Sequence, residues 1–215
     1  MVNYNIIATG SSGNCVIVNE YIAIDMGVPF KALKDVYKDL KIVFLTHEHN
    51  DHVKKSTIRT LAEERPTLRF ACCEWLIPLL VESGVNRSNI DVLEIGKMYD
   101  YTAFKVSPIK LYHDVPNCGY RLFFGEKKVL YATDTEHLDG ISAKDYDLYL
   151  VEANYTEEDL QARIKAKQES GEYSYEMNAA SRHLSKEQAD AFLLENMNEN
   201  SRYEYLHGHR EKHEE

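Results

Sequence analysis

The sequence of 215 residues contains no long apolar run and only four cysteines. No apolar stretch approaches the roughly 18–20 residues that a membrane-spanning helix needs, and the first residues form neither a basic nor an apolar leader. The cysteines, Cys15, Cys72, Cys73 and Cys118, show no paired spacing, and adjacent cysteines are seldom bridged to each other. We therefore expect a soluble, cytoplasmic protein with reduced thiols and no membrane partner.

Basic residues are also scarce. The chain has 25 lysines and arginines against 35 aspartates and glutamates, which gives a net charge of -10. Such a charge repels a polyanion at long range and disfavours binding of an extended duplex through a basic face. It does not exclude a phosphodiester substrate at a site that holds divalent cations, because the cations change the local potential. Nucleic-acid ends, short oligonucleotides and small phosphodiesters remain candidate substrates.

The chain has no segment that divides it. No Pro/Gly/Ser-rich block, low-complexity stretch or internal repeat is present, and the length suits one domain with a sizeable core, so we predict a single domain over residues 1–215.

Short apolar runs alternate with segments of helical pattern. The runs predict strands at 4–9, 15–18, 21–24, 42–46, 68–72, 92–95, 102–109, 120–124, 129–133, 148–152 and 203–206. The helical candidates are 30–37, 55–64, 74–83, 157–168 and 186–197, and Ser185 with Gln188 forms a capping box before the last of these. The predicted fold class is α+β, with αββα layering.

Residues 47–52 combine three histidines and an aspartate, directly after an apolar run. His47 and His49 are two positions apart, so in an extended segment they point to one side and can share an ion. Asp51 and His52 follow a turn and point elsewhere. A single tetrahedral ion would hardly take four ligands from so short a loop and leave room for substrate, so we predict two adjacent ions. The alternative is a polar loop of solvated histidines.

Three later residues are expected to complete the set of ligands, because each follows a predicted strand. His113 can join the first two histidines of the motif, Asp134 can bridge both ions, and His207 can join the aspartate and the last histidine. His209 is an alternative to His207. Taken singly, each of these residues also fits an ordinary loop position or a turn.

A glycine-rich loop, Gly10–Asn14, lies near the N-terminus. It lacks the Lys-Ser/Thr ending of a phosphate-binding P-loop and runs into a strand, so a hairpin turn beside the site is the better interpretation.

These residues together resemble the metallo-β-lactamase superfamily over nearly the whole chain. Four segments, GSSGNC at 10–15, DMG at 25–27, EAN at 152–154 and HLSKEQA at 183–189, look like the WalJ (YycJ)-type single-domain hydrolases, which are relatives of ribonuclease Z. The resemblance implies a four-layer αββα sandwich, two Zn or Mn ions and phosphodiester hydrolysis, with DNA or RNA as the expected substrate.

The resulting hypothesis is hydrolysis by a hydroxide that bridges two divalent ions. The first ion would be held by His47, His49 and His113, the second by Asp51, His52 and His207, with Asp134 between them. Imidazole and carboxylate ligands suit Zn, and also Mn or Fe.

Four residues are given roles around these ligands. Asp25 is expected to orient a ligating histidine through its second ring nitrogen. Asp51, His183 and Asn154 are the candidate catalytic residues: His183 contacts the phosphate or protonates the leaving oxygen, and Asn154 lines the cleft. For His183 the alternative is a residue that merely precedes a helix.

Two rival functions remain open from the sequence. The same ligands can serve a hydrolase of another bond, such as a lactone or thioester, because fold and metals are shared across chemistries. The site can also belong to a binding protein without catalysis.

Overall fold

The computed structural model describes residues 1–170 and 181–208, and the chain divides into two compact units, Met1–Pro108 and Ile109–Glu215. Each unit has its own cluster of buried apolar side chains. The single domain over residues 1–215 stays a prediction. Among the described residues, no helix has both the length and the apolar character needed to cross a membrane.

The first unit contains a six-stranded mixed sheet with the order β1-β2-β3-β4-β5-β6. Strands β1 to β3 pair antiparallel, and β3 to β6 pair parallel. The strands are β1 Tyr4–Ala8, β2 Cys15–Val18, β3 Ile22–Ile24, β4 Ile42–Leu45, β5 Arg69–Cys73 and β6 Ile90–Leu93. Strands β2 to β4 are buried along their whole length, as expected for continuous apolar runs.

Two α-helices connect the parallel strands of this sheet, α1 Lys55–Glu64 and α2 Ile77–Glu82. Helix α1 matches its predicted range. The predicted helix 74–83 is instead a short 3₁₀ helix, Glu74–Leu76, followed by α2, because Pro78 lacks a backbone N–H and fits only the first turn of an α-helix.

The predicted helix at 30–37 is wrong. A 3₁₀ helix covers Phe30–Leu33 and the chain then continues in turns. The guanidinium of Arg65 donates hydrogen bonds to the backbone oxygens of Tyr37, Lys38 and Leu40. A distant side chain therefore satisfies carbonyl groups at the end of this segment.

The second six-stranded mixed sheet has the order β12-β11-β10-β9-β8-β7. Strands β9 and β10 pair antiparallel, whereas β10, β11 and β12 are parallel neighbours. The strands are β7 Tyr99–Asp100, β8 Lys105–Leu111, β9 Asn117–Phe124, β10 Lys127–Ala132, β11 Leu148–Glu152 and β12 Arg202–Leu206.

Strand β7 was not predicted, and β8 begins later than the predicted strand 102–109. Thr102 lies in the turn between them with a φ of 66°, and its N–H is bonded to the Asp100 side chain. A β-branched residue in the left-handed region is uncommon, so the sequence did not signal this turn.

In the described part of the second unit, the α-helices are α3 Glu157–Ser170 and α4 Lys186–Asn196. The predicted capping box is present: the Ser185 hydroxyl accepts from the Gln188 N–H, and the Gln188 side chain accepts from the Ser185 N–H. The described residues form two mixed sheets and four α-helices, which confirms the predicted α+β class.

Gly27 allows the chain to pass close to the histidine motif. A Cβ atom at this position would lie 1.7 Å from the Asp51 backbone oxygen and 2.1 Å from its carbonyl carbon. We therefore expect Gly27→Ala to lower the free energy of unfolding by more than about 2 kcal/mol, because the clash is with backbone. Thermal and urea unfolding measure the change.

Gly208→Ala is the matched control for this variant. A Cβ there would lie 3.5 Å from the Ala153 backbone oxygen, an ordinary contact, so stability should change little. Equal effects of the two substitutions would contradict the steric argument.

Candidate metal centre

In the first unit, the site is built where two parallel strands end. Asp25 follows β3 and Thr46 follows β4, and the pairing of Ile24 with Phe44 brings these ends to one edge of the sheet. The Asp25 carboxylate is fully buried and accepts hydrogen bonds from the Thr46 N–H at 3.0 Å and the Thr46 hydroxyl at 2.9 Å. The start of the histidine motif is therefore tied to the neighbouring strand.

Asp25 also orients a histidine of the motif, as expected. Its Oδ2 lies 2.7 Å from Nδ1 of His52, which is itself fully buried. Because an ionised carboxylate only accepts hydrogen bonds, Nδ1 carries the proton, and Nε2 keeps the lone pair that a metal ion needs.

The three imidazoles of the motif pack together. The ring centroid of His47 lies 4.8 Å from that of His49 and 4.2 Å from that of His52. His47 thus contacts both other histidines of the motif, although the sequence suggested that it shares an ion with His49 and His113 and not with His52. The Asp51 carboxylate lies 3.8 Å from His52 Nε2.

The glycine-rich loop is a hairpin turn between β1 and β2, and it contacts the motif. The Gly13 N–H is bonded to the Gly10 oxygen, and the Asn14 N–H donates to the Asp51 backbone oxygen at 2.7 Å. The interpretation as a hairpin beside the motif is confirmed.

In the second unit, the site again lies where parallel strands end. Asp134 lies two residues after β10, Glu152 is the last residue of β11, and His207 directly follows β12. Asp134 and His207 have φ values of 57° and 55°, and Asp25 in the first unit has 60°. Non-glycine residues in this region are uncommon and cluster at functional sites.

Four ligand-type side chains converge at these strand ends: Asp134, Glu152, His183 and His207. One ligand atom from each lies within 4.8 Å of the others. His207 Nε2 is 3.4 Å and His183 Nδ1 is 3.7 Å from the same oxygen of Asp134. The 3.4 Å between His207 Nε2 and the Asp134 oxygen suits two ligands of one divalent metal ion.

Glu152 is the member of this cluster to which the sequence analysis gave no role. It is fully buried, and Oε1 lies 2.6 Å from His183 Nδ1. Its Oε2 accepts from the backbone N–H groups of Thr135 at 2.9 Å and Leu184 at 3.2 Å. The sequence did contain a signal for Glu152: a charged residue ends the apolar run Leu148–Val151, and a buried carboxylate needs hydrogen-bond partners.

His113 lies at the edge of this cluster. Its Nδ1 donates to the Arg182 backbone oxygen at 3.1 Å, and its Nε2 lies 4.0 Å from Asp134 and 3.2 Å from Asp114. Burial lowers the pKa of His113, against the opposing effect of Asp134. The lowered pKa favours the neutral imidazole, the state in which a histidine can bind a metal ion.

Asn154 contacts His207. Its Nδ2 donates to the His207 backbone oxygen at 2.9 Å and lies 3.0 Å from His207 Nδ1. This contact holds the imidazole at the end of β12. The alternative ligand His209 lies outside the described residues.

Cysteine thiolates do not contribute to the candidate ligands of the first unit or of the second unit. All four cysteines are buried and unbridged. Burial, and to a smaller extent Asp25, raises the pKa of Cys15, and burial raises that of Cys72 to about 12. Imidazole and carboxylate donors therefore define the chemistry, and each unit's donor set fits Zn, Mn or Fe.

The sequence matches a known protein family over most of its length. The family is described as "Beta-lactamase superfamily domain", and the match covers residues 23–195. The chain belongs to this superfamily. A search of curated proteins found no match.

Several solved structures share the fold of this chain. The metallo-beta-lactamase fold protein YhfI from Bacillus subtilis aligns with a TM-score of 0.75 at 16% identity, covering 99% of this chain and 88% of its own. The short form of human tRNase Z (ELAC1) aligns with a TM-score of 0.69 at 14% identity, covering 97% of this chain and 92% of its own. Zn²⁺-bound PqqB from Methylobacterium extorquens aligns with a TM-score of 0.69 at 12% identity, covering 97% of this chain and 89% of its own. At these identities the likeness establishes the fold.

The Asp25 contact generates a prediction for metal binding. Asp25→Asn replaces one accepting oxygen by an amide nitrogen and weakens the bonds that orient His52 and Thr46. We expect Zn²⁺ affinity to fall ~10- to 100-fold, as for other residues that orient a ligating histidine. Competition with a chromophoric chelator measures the affinity.

Asp139→Asn provides the control for this charge change, because the Asp139 side chain is 92% exposed. Its Zn²⁺ affinity should match that of the unsubstituted protein. Unchanged affinity in Asp25→Asn would show that Asp25 does not support the ligand.

Proposed function

We propose that this protein is a metal-dependent hydrolase of phosphodiesters, acting on DNA or RNA ends, short oligonucleotides or small phosphodiesters. Membership of the beta-lactamase superfamily and the histidine and carboxylate groups of the two units support metal-dependent hydrolysis. The proposal that the hydrolysed bond is a phosphodiester is more specific, and it depends on His183 and Glu152.

The proposed centre holds two divalent ions, with Zn as the first choice and Mn or Fe as alternatives. We assign the first ion to His47, His49 and His113 and the second to Asp51, His52 and His207, with Asp134 shared. The orientation of His52 by Asp25 and of His113 by the Arg182 carbonyl supports the assignment, because each contact directs Nε2 of the ring toward a ligand role. When bound, such ions lower the pKa of water toward neutrality and offset the charge of phosphate oxygens.

The observation that carries the proposal is the contact between His183 and Glu152. His183 Nδ1 lies 2.6 Å from a fully buried carboxylate, and the imidazole remains partly exposed. A carboxylate that accepts from Nδ1 fixes the ring and stabilises its protonated form. His183 can therefore hold a proton on Nε2 and donate it to the oxygen that leaves phosphorus.

The position of this pair supports the same role. Leu184 follows His183 and donates its N–H to the second oxygen of Glu152, and His183 Nδ1 lies 3.7 Å from Asp134. The proton donor is thus fixed relative to a proposed metal ligand. A leaving alkoxide needs a proton, so this arrangement suits cleavage of an ester bond with a poor leaving group.

Two structural neighbours are consistent with phosphate chemistry. One is the short form of human tRNase Z, and another is described as a diphosphatase from the PhnP family, aligned with a TM-score of 0.67. The net charge of -10 favours small or terminal substrates over extended duplexes. A lactone or thioester hydrolase on the same ligands is the competing function, and a binding protein without catalysis is the other.

Metal dependence is tested first. Purified protein should contain up to two divalent ions per chain by elemental analysis and should hydrolyse bis-p-nitrophenyl phosphate. Chelation or Asp51→Ala should reduce the rate at least ~100-fold, because a ligand of the proposed second ion is lost. Asp139→Ala, at an exposed position, should retain full activity.

The result of this assay separates the candidate functions. Full activity after metal removal defeats the proposal. Activity on lactones or thioesters with none on any phosphodiester favours the competing hydrolase, and fewer than one ion per chain favours the binding protein.

The role of His183 is tested with two leaving groups. We expect His183→Ala to lower kcat by ~10²–10⁴ on an oligonucleotide, whose leaving alkoxide needs a proton. The loss should be much smaller on bis-p-nitrophenyl phosphate, because p-nitrophenolate leaves unprotonated. Equal losses on both substrates would show that His183 is not a proton donor.

A further inference from the structure

Asn14 is buried against the histidine motif and has no assigned role. It lies in the hairpin loop before β2 and is 2% exposed. Its backbone N–H donates to the Asp51 oxygen at 2.7 Å, and its backbone oxygen accepts from the Gly27 N–H at 2.9 Å. The backbone around Asn14 is therefore fixed to the segment that carries Asp51.

The orientation of the Asn14 side-chain amide is fixed by Gly10. Oδ1 accepts from the Gly10 N–H at 2.8 Å, and Nδ2 donates to the Gly10 oxygen at 3.1 Å. Rotating the amide by 180° would place a donor against a donor and an acceptor against an acceptor. The position of Nδ2 thus follows from the hydrogen bonds.

Asn14 Nδ2 points at the metal-binding nitrogen of His52. The two atoms are 2.8 Å apart. Because His52 Nδ1 carries a proton donated to Asp25, Nε2 has a lone pair and accepts the hydrogen bond from Asn14. This is the same lone pair that His52 would offer to a metal ion.

We infer that Asn14 is a positioning residue that occupies the His52 lone pair in the metal-free protein and yields it when a divalent cation binds. The inference rests on the proposed metal binding. The displaced N–H has a second acceptor close by, since Asp51 Oδ2 lies 3.4 Å from Asn14 Nδ2. When a cation takes the His52 lone pair, the amide N–H is left to this neighbouring carboxylate, and its bonds to Gly10 are unchanged.

This arrangement predicts the direction of a substitution effect. The Asn14–His52 hydrogen bond stabilises the metal-free protein and is broken in the loaded one. Its removal therefore destabilises the metal-free protein more, and by linkage strengthens metal binding. A residue that merely holds the loop together has the opposite effect, because loss of order weakens binding.

The test compares Asn14→Ala with the unsubstituted full-length protein, with Zn²⁺ as the probe. We expect chelator competition to show ~3- to 10-fold tighter binding of the second ion, to which His52 is assigned, the equivalent of one neutral hydrogen bond. The midpoint of thermal unfolding should fall more without Zn²⁺ than with it. Unchanged or weaker Zn²⁺ binding by Asn14→Ala overturns the inference.

Asn196→Ala is the matched control. Asn196 is also buried, and its side chain is bonded to the Ala143 N–H and the Phe192 oxygen in the second unit. Its replacement should lower the unfolding midpoint equally with and without Zn²⁺, with no change in affinity.

A second measurement does not depend on a folded variant. In ¹⁵N NMR spectra of the metal-free protein, His52 should carry its proton on Nδ1, with Nε2 as a hydrogen-bond acceptor. Addition of Zn²⁺ should shift the Asn14 side-chain NH₂ signals and leave those of Asn196 unchanged. An Nε2-protonated His52 without metal, or an Asn14 signal that ignores Zn²⁺, overturns the inference. A protein that binds no Zn²⁺ at all defeats the proposed function as well, so the two failures are distinguishable.

Discussion

The buried carboxylate of Asp25 is the constraint on which the histidine motif depends. A carboxylate without solvent is costly unless its oxygens accept hydrogen bonds. Here they accept from the backbone and hydroxyl of Thr46 and from the ring of His52. The requirement to satisfy one buried charge therefore fixes the residue before the motif, the last histidine of the motif and the protonation of that histidine.

Glu152 performs a comparable task in the second unit. Its two oxygens accept from backbone groups of Thr135 and Leu184 and contact the His183 imidazole. The segments after β10 and before α4 are thereby connected to the end of β11. In each unit, parallel strands place polar groups at one edge of a sheet, and a fully buried carboxylate organises the imidazoles around it.

The sequence was sufficient for the parts of the structure with strong local signals. Continuous apolar runs gave β2 and β4, the capping box gave the start of α4, and the His-x-His-x-Asp-His run gave a compact imidazole cluster. The helix predicted at 30–37 was wrong, since a side chain distant in sequence bonds the carbonyl groups at its end. Asn14 and Glu152 were given no roles for a similar reason: their partners, such as His52 and His183, lie over 30 positions away and are defined only by folding.

The left-handed backbone of Asp25, Asp134 and His207 has a consequence for how this protein can change. Each residue holds a conformation that costs about 1 kcal/mol or more for a side chain and almost nothing for glycine. At these three positions glycine would give the least strained backbone, whereas the functional groups require an aspartate or a histidine. Selection for thermal stability alone would favour glycine at these three positions, so the carboxylates and the imidazole found there meet a requirement other than an unstrained backbone.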